Sequence, residues 1–267
     1  MTQDNSRRPA IRGVISDLDG VAYRSTVPIA DSVEAFRFWH SQGIPYAFVT
    51  NNSSKSSEQF AEKLSRMGIP ASAGQVFNTI AAVTALLREK WPSSTPVFAI
   101  GEKPMLHSIE AAGFRMTETD PEVVVIGFDH QFSYDKLRIA VRAALAGAAV
   151  VMTNPDVLTP VEDGYDPCVG ALSAAVCAAV PTVKPIVVGK PHPFLIEQAL
   201  AYIGTGRDET IMVGDQLATD IVAGHRAGVR TVLLASDAPF NQSHGVQPDD
   251  VISSLLDLIR VTTAAAD

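Results

Sequence analysis

The stretch GVISDLDGVAY, Gly13 to Tyr23, runs from apolar residues straight into two acids, Asp17 and Asp19, followed at once by Gly20. Val14 and Ile15 read as part of a buried strand, Gly13 to Ser16, and the acids stand where that strand stops. In an open α/β sheet, ligands bind in the crevice at the carboxyl ends of the strands, so two carboxylates there occupy the expected place for chemistry. Extended backbone would turn residues 17 and 19 to one side and Leu18 to the other. Carboxylates so close repel one another unless a cation or a shared proton relieves them. Magnesium suits the pair, because it takes hard oxygen ligands and keeps coordination places for water and phosphate. Gly20 lets the backbone come close to a bound anion. For four residues read alone, an acidic turn or a helix cap is the bland alternative.

Three later stretches repeat the pattern of an apolar strand ending in polar side chains. In YAFVTNNSSKS the strand Tyr46 to Thr50 runs into Asn51, Asn52 and Ser53, whose hydroxyl and backbone N–H groups suit phosphate oxygens, with a helix N-terminus following. The same residues also serve as ordinary helix caps. In VVGKPHP, Lys190 follows a short strand, and Pro191 restricts it to extended conformations. A lysine there neutralises both a nucleophilic carboxylate and the phosphate it receives, although most lysines are solvated surface charges. In TIMVGDQLATDIVAG, Asp215 lies at a strand mouth and Asp220 about a turn inside the next helix, in reach of one cation or its waters. Capping by Asp215 and solvation of Asp220 is the alternative.

Around these stretches, short β-branched runs alternate with segments of helical period, which predicts an α/β class with parallel strands and crossover helices. Expected helices cover Ser32 to Gln42 and Ser57 to Met67, each stopping at a glycine, Gly43 or Gly68. Strands Val97 to Ile100, Val123 to Ile126 and Val150 to Thr153, with helices Pro104 to Ala112, Tyr134 to Ala146 and Ala171 to Ala179, form what reads as a unit of their own. The proline-rich stretch Pro181 to Pro185 marks its end. Beyond it come strands at Ile186 to Val188, Thr210 to Val213 and Arg230 to Leu234. Helices are expected at Pro193 to Ile203, Ala218 to Ala227 and, closing the chain, Val251 to Arg260.

Composition narrows the partners. With 267 residues and 46% hydrophobic content the chain has ample material for a buried core. A formal net charge of −8 opposes binding to a phosphate polymer, so nucleic acid is not an expected partner. Cys168 and Cys177 have no spacing that wraps zinc and read as reduced side chains. The polar start MTQDNSRRPA and the shortness of the apolar runs point to a cytoplasmic protein with no membrane partner.

Taken in order, DLDGVAY, TNNSS, VGKP and GDQLATD resemble the four motifs of the haloacid dehalogenase superfamily, and within it the NagD-like or 4-nitrophenylphosphatase-like phosphatases. The resemblance covers nearly the whole chain. It implies a doubly wound parallel-sheet core, residues 1–78 and 186–267, with an inserted α/β cap, residues 79–185. The interval from Asp19 to Thr50 is too short for the helical cap other members carry, and GFDHQFSYDKL and TNPDVLTPVEDGYDP resemble the α/β cap's own sequence. The resemblance implies that Asp17 attacks phosphorus and becomes a phosphoaspartate, while Asp19 serves as acid and then base. Magnesium would be held by Asp17, Asp215 and the backbone carbonyl of Asp19, with Asp220 in support. Gly20, Thr50, Asn51, Asn52 and Lys190 would hold phosphate. The cap loop Asn154 to Pro167 would cover the leaving group, with Asp156, Thr159 and Tyr165 as candidate substrate contacts. Departures lie at Cys168, where related caps tend to carry a small residue, and at Thr159, near which some members carry an aromatic or histidine.

The implied activity is hydrolysis of small phosphate monoesters: sugar or polyol phosphates, nucleoside monophosphates, phosphoglycolate or pyridoxal phosphate. A phosphomutase or phosphotransferase sharing the intermediate is one alternative, and a non-catalytic module that binds a phosphorylated ligand is another. The resemblance also allows a homodimer formed through the cap.

Overall fold

The computed structural model describes residues 9–161, 164–235 and 245–263. In chain order the elements are β1 (Gly13–Ser16), β2 (Tyr23–Arg24), β3 (Val27–Pro28), α1 (Ala30–Ser41), β4 (Tyr46–Thr50), α2 (Ser57–Arg66), β5 (Val76–Asn78), α3 (Thr79–Lys90), β6 (Pro96–Ile100), α4 (Lys103–Ala111), β7 (Arg115–Met116) and β8 (Val123–Ile126). They continue with α5 (Tyr134–Leu145), β9 (Ala149–Met152), β10 (Leu158–Val161), β11 (Gly164–Pro167), α6 (Val169–Ala179), β12 (Ile186–Val187), α7 (Phe194–Ile203), β13 (Thr210–Gly214), a π-helical turn (Leu217–Ile221), α8 (Val222–Ala227), β14 (Arg230–Leu234), β15 (Asp250–Ile252) and α9 (Leu256–Thr263). Two compact units result, Met1–Val49 with Ala61–Val76 and Ile196–Asp267, and Thr50–Phe60 with Phe77–Leu195.

The first unit is organised by a sheet of order β15-β14-β13-β1-β4-β5. β1 lies between β13 and β4 and is parallel to both. All four of its residues are buried, and strands covered on both faces read as continuous apolar runs rather than as alternation. After β1 the chain adds β4 and β5 on one side, and after β13 it adds β14 and β15 on the other, so the winding reverses between β1 and β13. That reversal is the switch point at which open sheets bind ligands. The core packs Phe36 of α1 against Phe48 of β4 at 4.9 Å between ring centres and against Trp39 at 5.2 Å. The indole of Trp39 is fully buried and donates to Thr262 Oγ1 of α9, 3.1 Å away, so its polar handle is satisfied.

The second unit has its own sheet, β12-β9-β8-β6-β7, parallel throughout. Phe98, Ile100, Val124, Ile126 and Val150 pack with Ala140 of α5 and Val169 and Val176 of α6 into a separate core. Among the described residues, no helix is long and apolar enough to cross a membrane.

The expected bounds of β1, β4, β8 and β14 match the structure. Both predicted helix stops hold, with Gly43 at φ 68° and Gly68 at φ 82°. Four readings need correction. The closing helix starts at Leu256 rather than at Val251, which lies in the edge strand β15 opposite Leu233. Ser254 sets that start, its Oγ accepting from Leu256 N–H and its own N–H donating to Asp257. The expected helix Ala218 to Ala227 opens with the π-helical turn, and only Val222–Ala227 is α-helical. The expected loop Asn154 to Pro167 contains an antiparallel pair, β10 and β11, with Thr159 opposite Asp166. Finally β1 ends at Ser16, so strand alternation does not place Asp17 and Asp19.

Candidate active site

Asp17 follows β1 directly and is tied to the neighbouring strand by its N–H, which donates to Val213 O at 2.9 Å. Asp215 follows β13, the other wall of the switch point. Asp220 enters from the π-helical turn, where its Oδ2 accepts from Gln216 N–H at 3.1 Å. Each of these three acids offers a carboxylate oxygen, and the oxygens all lie within 4.8 Å of one another. The three side chains are buried, at 6%, 8% and 1% exposure. Ionised carboxylates packed this closely away from water strongly disfavour one another unless a cation joins them. Their all-oxygen donor set fits a hard divalent ion such as magnesium.

Two glycines make room for this cluster. Gly20 has φ 86°, and a Cβ added there would stand 2.1 Å from Asp215 Oδ2. Gly214 lies against Asp220, whose own Cβ would be 2.2 Å from an added one. What the structure sets against Gly20 is the carboxylate of Asp215.

Asp19 meets Tyr23. The DLDGVAY segment folds into a tight loop, with Leu18 O accepting from Ala22 N–H at 2.8 Å and Gly20 N–H donating to Tyr23 O at 2.8 Å. That loop returns the buried Tyr23 to Asp19, its phenol donating a long hydrogen bond to Asp19 Oδ2 at 3.3 Å. Burial, and then the nearby charges of Asp19 and Asp17, push the Tyr23 phenol well above its ordinary value, so it remains a donor. Lys63 Nζ sits 3.4 Å from the centre of the Tyr23 ring. Asp19 itself is half-buried. Sequence reasoning did not single out Tyr23; the tight turn that brings residue 23 back to residue 19 is not encoded in any periodicity.

In the second unit, Thr50 ends β4 and its hydroxyl oxygen accepts from Asn52 N–H at 3.1 Å, leaving the hydroxyl proton to donate. Asn52 Oδ1 accepts from Ser54 N–H, which orders the loop. Lys190 is 2% exposed, and the Lys190-Pro191 bond is cis. The side chain of Asn51 pairs with the backbone of Lys190: Lys190 N–H donates to Asn51 Oδ1 at 2.8 Å, and Asn51 Nδ2 donates to Lys190 O at 3.0 Å. The second Nδ2 hydrogen goes to Asp156 Oδ2 at 3.0 Å. Tyr165, on β11, is 46% exposed, and Thr159, on β10, is half-buried.

The chain matches the haloacid dehalogenase-like hydrolase family over residues 14–115 and the HAD-hydrolase-like family over residues 187–258. It is 37% identical over 223 residues to the 5'-nucleotidase YutF of Bacillus subtilis, covering 84% of this chain and 86% of the relative. The chain belongs to the haloacid dehalogenase-like hydrolases. An acid sugar phosphatase of Staphylococcus saprophyticus is 33% identical over 222 residues, covering 83% of this chain and 85% of that one. Among solved structures, a thermostable NPPase double mutant from Geobacillus stearothermophilus superposes with a TM-score of 0.83 at 36% identity, covering 94% of this chain and 98% of that one. A 4-nitrophenylphosphatase from Thermotoga maritima gives 0.86 at 27% identity, covering 94% and 97%. Within the haloacid dehalogenase-like hydrolases, this one is a phosphatase of the NagD-like group, a phosphoric monoester hydrolase. The binding-module alternative is thereby set aside. The doubly wound core sheet and the separate second sheet are the α/β fold expected of the family.

Proposed function

We propose that this phosphatase hydrolyses small phosphorylated metabolites with magnesium, through a phosphoaspartate on Asp17. The observation that carries the reading is the meeting of Asp17, Asp215 and Asp220 at the switch point between β1 and β13. In this reading a carboxylate oxygen of Asp17 attacks phosphorus in line as the bond to the leaving oxygen breaks. Asp19 gives its proton to that leaving oxygen, then takes one from the water that cleaves the phosphoaspartate, releasing orthophosphate and restoring Asp17. Asp17, Asp215 and the backbone carbonyl of Asp19 hold magnesium, with Asp220 in support. When bound, magnesium neutralises charge where a carboxylate meets an anionic phosphoryl group. Thr50 and Lys190, with the loop at Asn51 and Asn52, supply donors to the phosphoryl oxygens, while Gly20, whose N–H donates to Tyr23 O, gives room beside them rather than a donor.

The relatives are named for nucleotides and for sugar phosphates, at similar identities. That spread supports nucleoside monophosphates and sugar phosphates as members of one substrate class rather than a single compound; polyol phosphates, phosphoglycolate and pyridoxal phosphate complete the class in this reading, met as free metabolites in the cytoplasm. Incubation with such a panel should release orthophosphate and the dephosphorylated product in equal amounts. Chelation should lower the rate by at least about 10²-fold, with recovery on adding magnesium. A rate indifferent to chelation would defeat the magnesium reading. An isomeric phosphate with no free orthophosphate, seen by phosphorus NMR, would indicate a mutase.

The Tyr23–Asp19 bond adds a second expectation. Tyr23→Phe should lower kcat/KM for an alkyl phosphate by about tenfold, since hydrogen bonds to charged groups contribute about 1.5–3 kcal/mol. For 4-nitrophenyl phosphate, whose leaving group departs without a proton, the change should be much smaller. Equal losses on both substrates would argue that Tyr23 does not act through Asp19.

A further inference from the structure

Asp156 stands at the root of the β10–β11 pair, and its carboxylate is joined to Asn51. We infer that Asp156 is a positioning residue: through Asn51 it fixes the backbone of Lys190, rather than touching substrate. The inference rests on the role proposed above for Lys190.

The chemistry of one carboxamide carries the argument. Asn51 has two N–H hydrogens and one carbonyl oxygen on its side chain. One hydrogen and the oxygen grip the C=O and N–H of Lys190, as a neighbouring strand would. That grip already fixes the ends of the amide, since a flip would set its oxygen against Lys190 O and its nitrogen against Lys190 N–H. The remaining hydrogen meets Asp156 Oδ2 at 3.0 Å, a third and charge-assisted bond that holds the amide, and through it the Lys190 backbone, in place.

Asp156 is itself held. Its N–H donates to Asn154 Oδ1 at 3.1 Å, and its carbonyl accepts from Gly170 N–H at 2.7 Å. Asn154 Nδ2, from the same segment, and Thr79 Oγ1, at the start of α3, both donate to Asn51 O, at 2.8 and 3.1 Å, so the backbone of Asn51 is anchored as well. Two glycines allow this packing. A Cβ at Gly189 would stand 2.5 Å from both Asn51 Oδ1 and Thr153 O, and one at Gly170 would stand 2.3 Å from Pro155 O. Asn51 and Asn154 are buried, so a lost partner here is not replaced freely by water.

Lys190 in this reading contacts the phosphoryl group, which every substrate shares. A displaced Lys190 should therefore slow all substrates alike. The test is kcat/KM of Asp156→Ala, Asp156→Asn and Lys190→Ala on 4-nitrophenyl phosphate, a nucleoside 5'-monophosphate and a sugar phosphate, with inhibition by orthophosphate measured alongside. Asp156→Ala should lower kcat/KM by a common factor of about 10 to 100 on all three and weaken orthophosphate inhibition, as misplacement of a catalytic group by about an ångström does. Asp156→Asn keeps an acceptor for Asn51 and should recover most of that loss. A loss confined to one leaving group, or no loss in Asp156→Ala, would overturn the inference. Should Asp156→Ala fail to fold by circular dichroism, Asp156→Asn decides: a uniform small factor supports positioning, and a substrate-dependent one refutes it. If Lys190→Ala leaves the rates unchanged, the proposed role of Lys190 fails. If Lys190→Ala is slow while Asp156→Ala matches the parent, the inference alone fails.

Discussion

Replacing Asp17 by asparagine should abolish phosphate release from every monoester, with a fall in kcat of at least about 10⁴-fold, while the fold survives. The size follows from the place of the residue in the proposed reaction: removing a nucleophile outright costs far more than removing one hydrogen-bond donor, about 10⁶-fold against about 10² to 10³-fold in hydrolases studied this way. The amide has nearly the shape of the carboxylate but neither its charge nor its nucleophilicity. Backbone anchoring by the hydrogen bond to Val213 O does not involve the side chain and should persist. The Asp17→Asn substitution also removes one of three negative charges within 4.8 Å, which weakens the pull on a cation. Circular dichroism and a melting curve establish folding, and single-turnover assays measure the chemistry. Residual activity above about 1% would refute Asp17 as the nucleophile.

Gly20→Ala should also be damaging, by about 10²-fold in rate, for a reason visible only in three dimensions. Two costs combine. An L-residue at φ 86° loses roughly 1–2 kcal/mol against glycine, which lowers stability without touching chemistry. The new Cβ would also stand 2.1 Å from Asp215 Oδ2 and 2.6 Å from its Cγ, so the carboxylate must move. Displacement of about an ångström costs about 10²-fold in rate. Gly43→Ala separates the two costs, since Gly43 has a similar φ of 68° but nothing within 4 Å of an added Cβ. Both variants should melt lower; only Gly20→Ala should lose activity and need more magnesium for half-maximal rate. Equal activity in the two would show that Asp215 adapts and that the cluster is less constrained than its burial suggests.

The reading of three strand ends was good because it rests on local rules. A buried parallel strand is a continuous apolar run, and its end is marked by the first polar residues, so Asp17, Thr50 and Asp215 could be placed at strand mouths from neighbours alone. Edge elements were harder. β15 has three residues with Val251 exposed, β2 and β3 have two each, and the β10–β11 pair carries the prolines Pro160 and Pro167. None is long enough to display a period, and each exists because a partner strand supplies its hydrogen bonds. Helix α3 is a different kind of omission: its Asn78 cap and apolar period are local signals that sequence reasoning passed over.

Site chemistry divides in the same way. From the sequence came which residue types stand at which strand ends, and therefore a phosphatase-like set of acids, hydroxyls and a lysine in fixed order. The resemblance already implied that Asp17, Asp215 and Asp220 share one cation. That Tyr23 turns back on Asp19, and that Asn51 holds Lys190 with Asp156 behind it, came only with the folded chain, through contacts between residues up to 139 positions apart. Periodicity reports what a residue's own segment does with it, burial or exposure, cap or core. It says nothing of which distant side chain will meet it, because that depends on how strands are ordered in the sheet. In GVISDLDGVAY, the strand and its terminal acids were determined locally. The need for glycine at residue 20 was decided by Asp215, which tertiary structure alone brings against it.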